Sequence, residues 1–136
     1  VVTVVRAPEL DYSEATRTAL YRGGVTLVHG AVRVTAAELR GVFSQGEGAA
    51  GLETAVADGD VVIEQASGGR LRRGTGGHAE YLLAEEKVVL TGGTPEFHDS
   101  LRGFTRGRQL TWFARDDRLL VDGRPDEPAV SLIRRK

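Results

Sequence analysis

The chain has 136 residues, with 18 Lys and Arg against 19 Asp and Glu for a net charge of -1, and neither Cys nor Met. Balanced charge excludes the basic footprint of a nucleic-acid binder. No apolar run approaches the roughly 20 residues of a membrane-spanning helix, and zero Cys removes disulfides, thiolate zinc sites and cysteine nucleophiles. A chain of this length buries roughly 68% of its unfolded surface, so one domain over 1-136 needs no staple. Val1 to Arg6 is apolar, but no charged segment precedes it, so it does not read as a signal peptide. Lacking any Met, the chain is expected to be mature or excised, and this leaves its compartment open.

Eighteen Gly stand against four Pro, and the apolar set is dominated by Val and Leu. Gly-punctuated, β-branched sequence without long periodic stretches reads as all-β. Only Ser13 to Leu20 has helix-like propensity, and it is too short to stand as one.

The elements recur along the chain as a repeat. The first copy opens with Ala7-Pro8-Glu9-Leu10-Asp11-Tyr12, turns at Ser13-Glu14, and runs through Ala19-Leu20-Tyr21-Arg22 to Gly23. Ala36-Ala37-Glu38-Leu39-Arg40-Gly41 opens the second, which reaches Gly59 after an insertion at Ser44 to Gly51. The third begins at Gly76-Gly77-His78-Ala79-Glu80-Tyr81, turns at Ala84-Glu85-Glu86 and reaches Gly92. The fourth begins at Gly107-Arg108-Gln109-Leu110-Thr111-Trp112, turns at Arg115-Asp116-Asp117 and reaches Gly123. The anchors are 36, 33 and 31 residues apart. Each unit is expected to be a strand, a polar hairpin tip and a second strand, with Gly marking passage to the next unit.

Alternation assigns faces. Val25, Leu27, Val32, Val34, Leu39, Val61, Ile63, Ala79, Tyr81, Val88, Leu90, Leu110, Trp112, Leu119 and Val121 fall on an apolar face. Glu38, Arg40, Glu80, Thr91, Thr111 and Asp122 fall on the polar one. Antiparallel strands covered on one side show this pattern. Either two sheets close over each other or one sheet curls into a trough. Neither Val1 to Arg6 nor Ala129 to Arg134 has a partner in the repeat, so both are expected to be free edges and templates for another chain.

The segment from Gly24 to Ala36, Gly-Val-Thr-Leu-Val-His-Gly-Ala-Val-Arg-Val-Thr-Ala, resembles the signature of the OstA-like family of lipopolysaccharide-transport proteins. That signature reads Gly-Asn-Val-x-Val-x-Gln-Gly-x-Ile-x-Ile-x-Ala-Asp. Gly24 takes the place of its Asn, His29 of its Gln and Ala37 of its Asp. Asp58 to Gln65 is similar to a further copy. Ala79-Glu80-Tyr81 followed by Lys87 to Gly93 resembles the family's Val-Val-Leu-Thr-Gly-Asn hairpin, and Thr105 to Trp112 resembles its Ile-Lys-Gly-Asp-x-Ile-x-Tyr strand. Val1 to Gly123 is covered. The branch stays open among soluble periplasmic bridge, membrane-anchored receptor and amino-terminal domain of the outer-membrane translocon.

The resemblance implies an all-β, open antiparallel β-jellyroll shaped like a taco shell, standing in the periplasm and without enzymatic activity or cofactor. It implies that lipid A acyl chains of lipopolysaccharide lie in an apolar trough. On the alternation, that trough is lined by Val25, Leu27, Val32, Val34, Leu39, Val61, Ile63, Tyr81, Val88, Leu90, Leu110 and Trp112. It further implies head-to-tail edge-strand pairing with other OstA-like domains or copies of itself, hence a homo-oligomer. A structural β-solenoid module without lipid is the alternative.

Other signals carry less. Gly46 to Gly51 matches G-x-G-x-x-G, but a dinucleotide site needs that loop between a strand and a helix, and strand repeats flank it here. His29, His78 and His98 lack ligand spacing, so no metal is expected. Glu85-Glu86 and Asp116-Asp117 belong to hairpin tips, where paired carboxylates face no cleft. Gly69 to Gly74, with Arg70, Arg72 and Arg73, reads as a solvated basic loop in preference to a lipid-phosphate contact. Tyr12, Tyr21, Tyr81, Phe97, Phe104, Trp112 and Phe113 are expected in the core.

Overall fold

The computed structural model describes residues 3-44, 51-101, 103-116, 118-123 and 130-133. Among them there is no helix, and the strands belong to one 12-stranded antiparallel sheet. They are β1 (Thr3–Arg6), β2 (Glu9–Ser13), β3 (Thr18–His29), β4 (Val32–Phe43), β5 (Leu52–Ser67), β6 (Arg70–Leu82), β7 (Lys87–Thr91), β8 (Glu96–Asp99), β9 (Gly103–Arg106), β10 (Gln109–Phe113), β11 (Arg118–Asp122) and β12 (Val130–Ile133).

The four long strands, β3 to β6, are bent. Register slips between Arg22 and Val25, between Thr35 and Glu38, and between Asp58 and Val61, where β5 faces the Gly76-Gly77 stretch of β6. Such bulges bend a strand and sharpen its twist. Aligned across the sheet, they make a spine about which it folds in half. Layer one holds β1, then the halves of β3, β4, β5 and β6 at 25-29, 32-36, 61-67 and 70-76, then β8, β9 and β12. Layer two holds β2, the other halves of the same four strands, then β7, β10 and β11. Neighbours alternate in direction throughout.

The inner faces meet. The ring of Phe97 on layer one lies 5.5 Å from that of Trp112 on layer two, and His29 lies 6.1 Å from Tyr81. Gly74 on layer one gives room to Leu90 on layer two, whose Cδ1 would stand 2.7 Å from a Cβ there. The two possibilities left by alternation are thus one structure, a continuous sheet folded onto itself.

Glycine placement explains the spine and corrects the repeat. Gly23 and Gly59 do not end units but sit within β3 and β5 at the bends, with φ of +90° and +88°. Of the four anchors, only Gly92 and Gly123 follow strand ends. A Cβ on Gly59 would stand 2.6 Å from Cβ of Ala37, so β4 and β5 approach there as only Gly permits.

The tips fall where polar clusters predict. Turns connect β2 to β3, β6 to β7 and β10 to β11, and Arg17 and Glu86 donate their N–H to the carbonyls of Glu14 and Leu83. The insertion joins β4 to β5, its flanks tied by Ser44 N–H donating to the Gly51 carbonyl at 2.8 Å. Residues 45-50 of the insertion, which hold all of the Gly-rich match but Gly51, and Asp117 of the last tip lie outside the described residues.

Three expectations are corrected. The terminal strands do have partners, since β1 pairs with β3 and β12 with β9. Each is still an edge, bonded on one side among the described residues. Gly69 to Gly74 is not a loop, because β6 begins at Arg70 and pairs with both β5 and β8. Thr111 is buried on the outer face, between Val89 and Leu120 in register.

Candidate functional site: the interior between the layers

All twelve residues assigned to the trough lie on the inner face, and none exceeds 3% exposure. They form one cluster with Ala36, Ala55, Ala57, Ala79, Leu83 and Phe97. At about 25 cal/mol per Å² of apolar surface removed from water, this face dominates the stability of the fold. Its residues are buried against one another, so no open channel runs between them among the described residues.

The interior is graded from spine to slit. Near the spine it is aliphatic, with Val25, Val61, Leu39, Leu90 and Leu110. Opposite the spine, where the tips of the two layers meet, the inward row of layer one runs His29, Val32, Gln65, Arg72, Asp99. Apart from Val32 this row is polar, and its polar side chains are tied to neighbours. Arg70 binds Asp99 through both its Nε and its terminal nitrogen, and Arg72 donates to Oε1 of Gln65 at 2.6 Å. Nδ1 of His29 meets the Thr3 hydroxyl at 2.7 Å. Arg70 and Arg72 thus belong to a half-buried, ion-paired cluster rather than to a solvated loop, while Arg73, of opposite parity, pairs outside with Glu64 at 3.8 Å. No run or motif signals this; alternation carried past Gly69 would have put Arg70 and Arg72 on the inner face.

The matching row of layer two runs Tyr12, Ala19, Gly41, Ala55, Tyr81, Val88, Trp112, Leu119. The Arg72 guanidinium lies 6.0 Å over the Trp112 ring, a cation–π contact across the slit. Desolvation, then the nearby Glu86 carboxylate, pushes the Tyr81 phenol up to about 12, so it stays protonated. Neither the Tyr81 hydroxyl nor Trp112 Nε1, both buried, has a hydrogen-bond partner among the described residues.

At the β2 end the inner face runs out into solvent. Leu10 and Tyr12, whose parity makes them inward, are 59% and 52% exposed. Among the other aromatics, Tyr81, Phe97 and Trp112 are buried, and Tyr21, Phe104 and Phe113 are half-buried. Phe113 lies outside, flanked by Lys87 and Arg118. A depression of about 390 Å³ lies on the spine, lined by Asp60, Val62, Thr75 and the Gly76-Gly77 and Gly92-Gly93 pairs.

The three His meet separate partners, Thr3 for His29, Asp58 for His78 and Glu96 for His98. No cluster of three or more His, Asp or Glu able to hold a metal occurs among the described residues.

A folded antiparallel sheet with a one-sided apolar interior, open at its edges, defines an open β-jellyroll. The family model described as LptA/(LptD N-terminal domain) LPS transport protein matches residues 4–115. The chain belongs to this family, the one the OstA-like motifs point to, and it is a family of transport proteins. The crystal structure of LptH from Pseudomonas aeruginosa, described as the LptA homologous periplasmic component of the lipopolysaccharide transport device, is similar in fold. It has a TM-score of 0.85 and 15% sequence identity, over 98% of this chain and 96% of that one. No curated protein matches the sequence.

Proposed function

We propose that this chain carries the acyl chains of lipopolysaccharide between its two layers in the periplasm, as one segment of a bridge between membranes. The observation that carries the reading is the inner face itself. From the spine to the polar row at the slit it is apolar from strand to strand across both layers, and at β2 it ends in the exposed Leu10 and Tyr12. Each acyl CH₂ moved out of water contributes about 0.8 kcal/mol. Because the closed interior is filled by its own side chains, loading parts the layers and exchanges contacts between side chains for contacts with lipid. The slit opposite the spine is where they part, since no backbone hydrogen bond between strands crosses it among the described residues. Membership in a transport family and the periplasmic relative support the setting.

Edge pairing completes the bridge. β1 and β12 are opposite edges of layer one, and β2 and β11 are opposite edges of layer two. Their directions alternate, so a second copy or a related domain added head to tail meets an antiparallel partner in both layers. A contact between unlike ends extends instead of closing, unless its rotation closes a ring. Sedimentation over a concentration series is expected to show growing oligomers, and a strictly monomeric chain at high concentration overturns the edge pairing.

Photocrosslinking in cells that make lipopolysaccharide tests the cargo. A crosslinker at Leu27 or Val34 captures lipopolysaccharide, and one at Thr26 or Arg33, on the outer face, does not. Equal capture from both pairs refutes the assignment. The packed interior favours a second reading, a structural module without cargo, and absence of capture from every inner position would decide for it.

A further inference from the structure

The interior of a pure hydrocarbon carrier needs no hydrogen-bond donors, yet this one contains two without acceptors. Tyr81 and Trp112 are each 2% exposed, and neither the phenol O–H nor the indole Nε1–H has a partner among the described residues. Buried donors are almost always paired, and an orphan costs free energy in the closed form. We propose that these two groups are hydrogen-bond donors to the acyl carbonyl oxygens of a fatty-acylated ligand. The interior thereby recognises ester- or amide-linked chains over bare alkyl chains. The inference rests on the acyl-carrying reading and adds to it the feature of the cargo that is bound.

Three observations converge on the carbonyl. Tyr81 and Trp112 stand on one inward row, each directly opposite Val88, so their backbones are two strands apart, about 9.6 Å. That spacing suits separate acyl linkages on one headgroup better than a single bidentate acceptor. Next, the row lies at the depth where the interior changes character. Toward the spine are Leu39, Leu90 and Leu110, and across the slit are His29 against Tyr81 and Arg72 against Trp112. A ligand with its chains toward the spine and its sugar at the slit has its acyl carbonyls at this boundary. Finally, both groups have a proton to donate in the form they hold here, the indole as a donor only and the phenol because burial keeps it protonated. They match a carbonyl oxygen, an acceptor that cannot donate.

Sucrose monolaurate and dodecyl maltoside, below their micellar concentrations, are the probes. Both carry a C12 chain on a disaccharide, but only the first has an acyl carbonyl. Binding is read by calorimetry and, in chains that keep Trp112, by the emission of this sole Trp. The wild-type chain is expected to prefer the ester, and Tyr81→Phe to lower that preference about fivefold, the worth of one neutral hydrogen bond. Trp112→Phe, followed by calorimetry, is expected to lower it similarly. Without ligand, Tyr81→Phe is expected to melt no lower than the wild type, since it removes an orphan donor; a large loss of stability means that the hydroxyl is paired in the closed form and overturns the inference. No preference in the wild type, or one that survives both substitutions, overturns the inference and leaves the acyl-carrying reading standing. A wild-type chain that binds neither probe overturns both.

Discussion

Replacing Gly59 by Ala tests the spine on which the two-layer arrangement depends. Two costs add at this position. The backbone stands at φ +88°, where an L side chain costs roughly 1–2 kcal/mol. The new Cβ would also lie 2.6 Å from Cβ of Ala37, so β4 or β5 must shift, and overpacking of this kind costs roughly 1–3 kcal/mol. Together they come to about 3 kcal/mol, or a fall in midpoint of about 12 °C at about 4 °C per kcal/mol for a chain this size. Gly24→Ala separates the terms, because φ there is +95° but nothing lies within 4 Å of the added Cβ. It is expected to cost about 1.5 kcal/mol, or about 6 °C. Adding Ala37→Gly to Gly59→Ala removes the clash and is expected to restore about 1 kcal/mol, net of the flexibility that the new Gly introduces. The assay is thermal unfolding by far-ultraviolet circular dichroism, with urea unfolding as a check. Equal losses for Gly59→Ala and Gly24→Ala, or no recovery in the double variant, would refute the claim that a close approach of β4 and β5 sets the bend.

Three further outcomes are expected. Leu27→Ala, at a fully buried inner position, costs about 3 kcal/mol in urea unfolding, whereas its neighbour Val28→Ala, 39% exposed on the outer face, costs under about 1. The Tyr81 phenol titrates higher in the folded chain than in the unfolded one, so between pH 10 and about 12 the folded state holds the extra proton. Its contribution is complete below pH 10 and is lost as pH rises through about 12; Tyr81→Phe flattens this loss in urea unfolding measured across that window. Replacing residues 45-50 by Asn-Gly, keeping the Ser44 to Gly51 hydrogen bond, leaves the melting midpoint within about 2 °C, because a shorter hairpin loop costs little closure entropy. A nucleotide bound by the intact chain and lost on this replacement would reverse the dismissal of the Gly-rich match.

The features legible in the amino-acid sequence are local ones. Alternation needs only neighbouring residues, and it assigns Leu27, Val34, Ile63 and Trp112 to one face because a strand sends successive side chains to opposite sides. Polar tips such as Ala84-Glu85-Glu86 are local as well, since turn chemistry acts within four residues. What the spine brings together depends on the folded sheet. The pairing of β8 with β6, and of β12 with β9, depends on where the chain returns after Gly92-Gly93, which no local pattern encodes. Arg70 and Arg72 read as a solvated loop until Asp99, 29 and 27 residues further on, arrives beside them across the β6–β8 pair. The same holds for the slit. Tyr81 and Trp112 are core aromatics by periodicity, and their unpaired donors opposite His29 and Arg72 exist only once the sheet has folded in half, because layer-to-layer contacts join residues that no hydrogen-bonded strand pair connects.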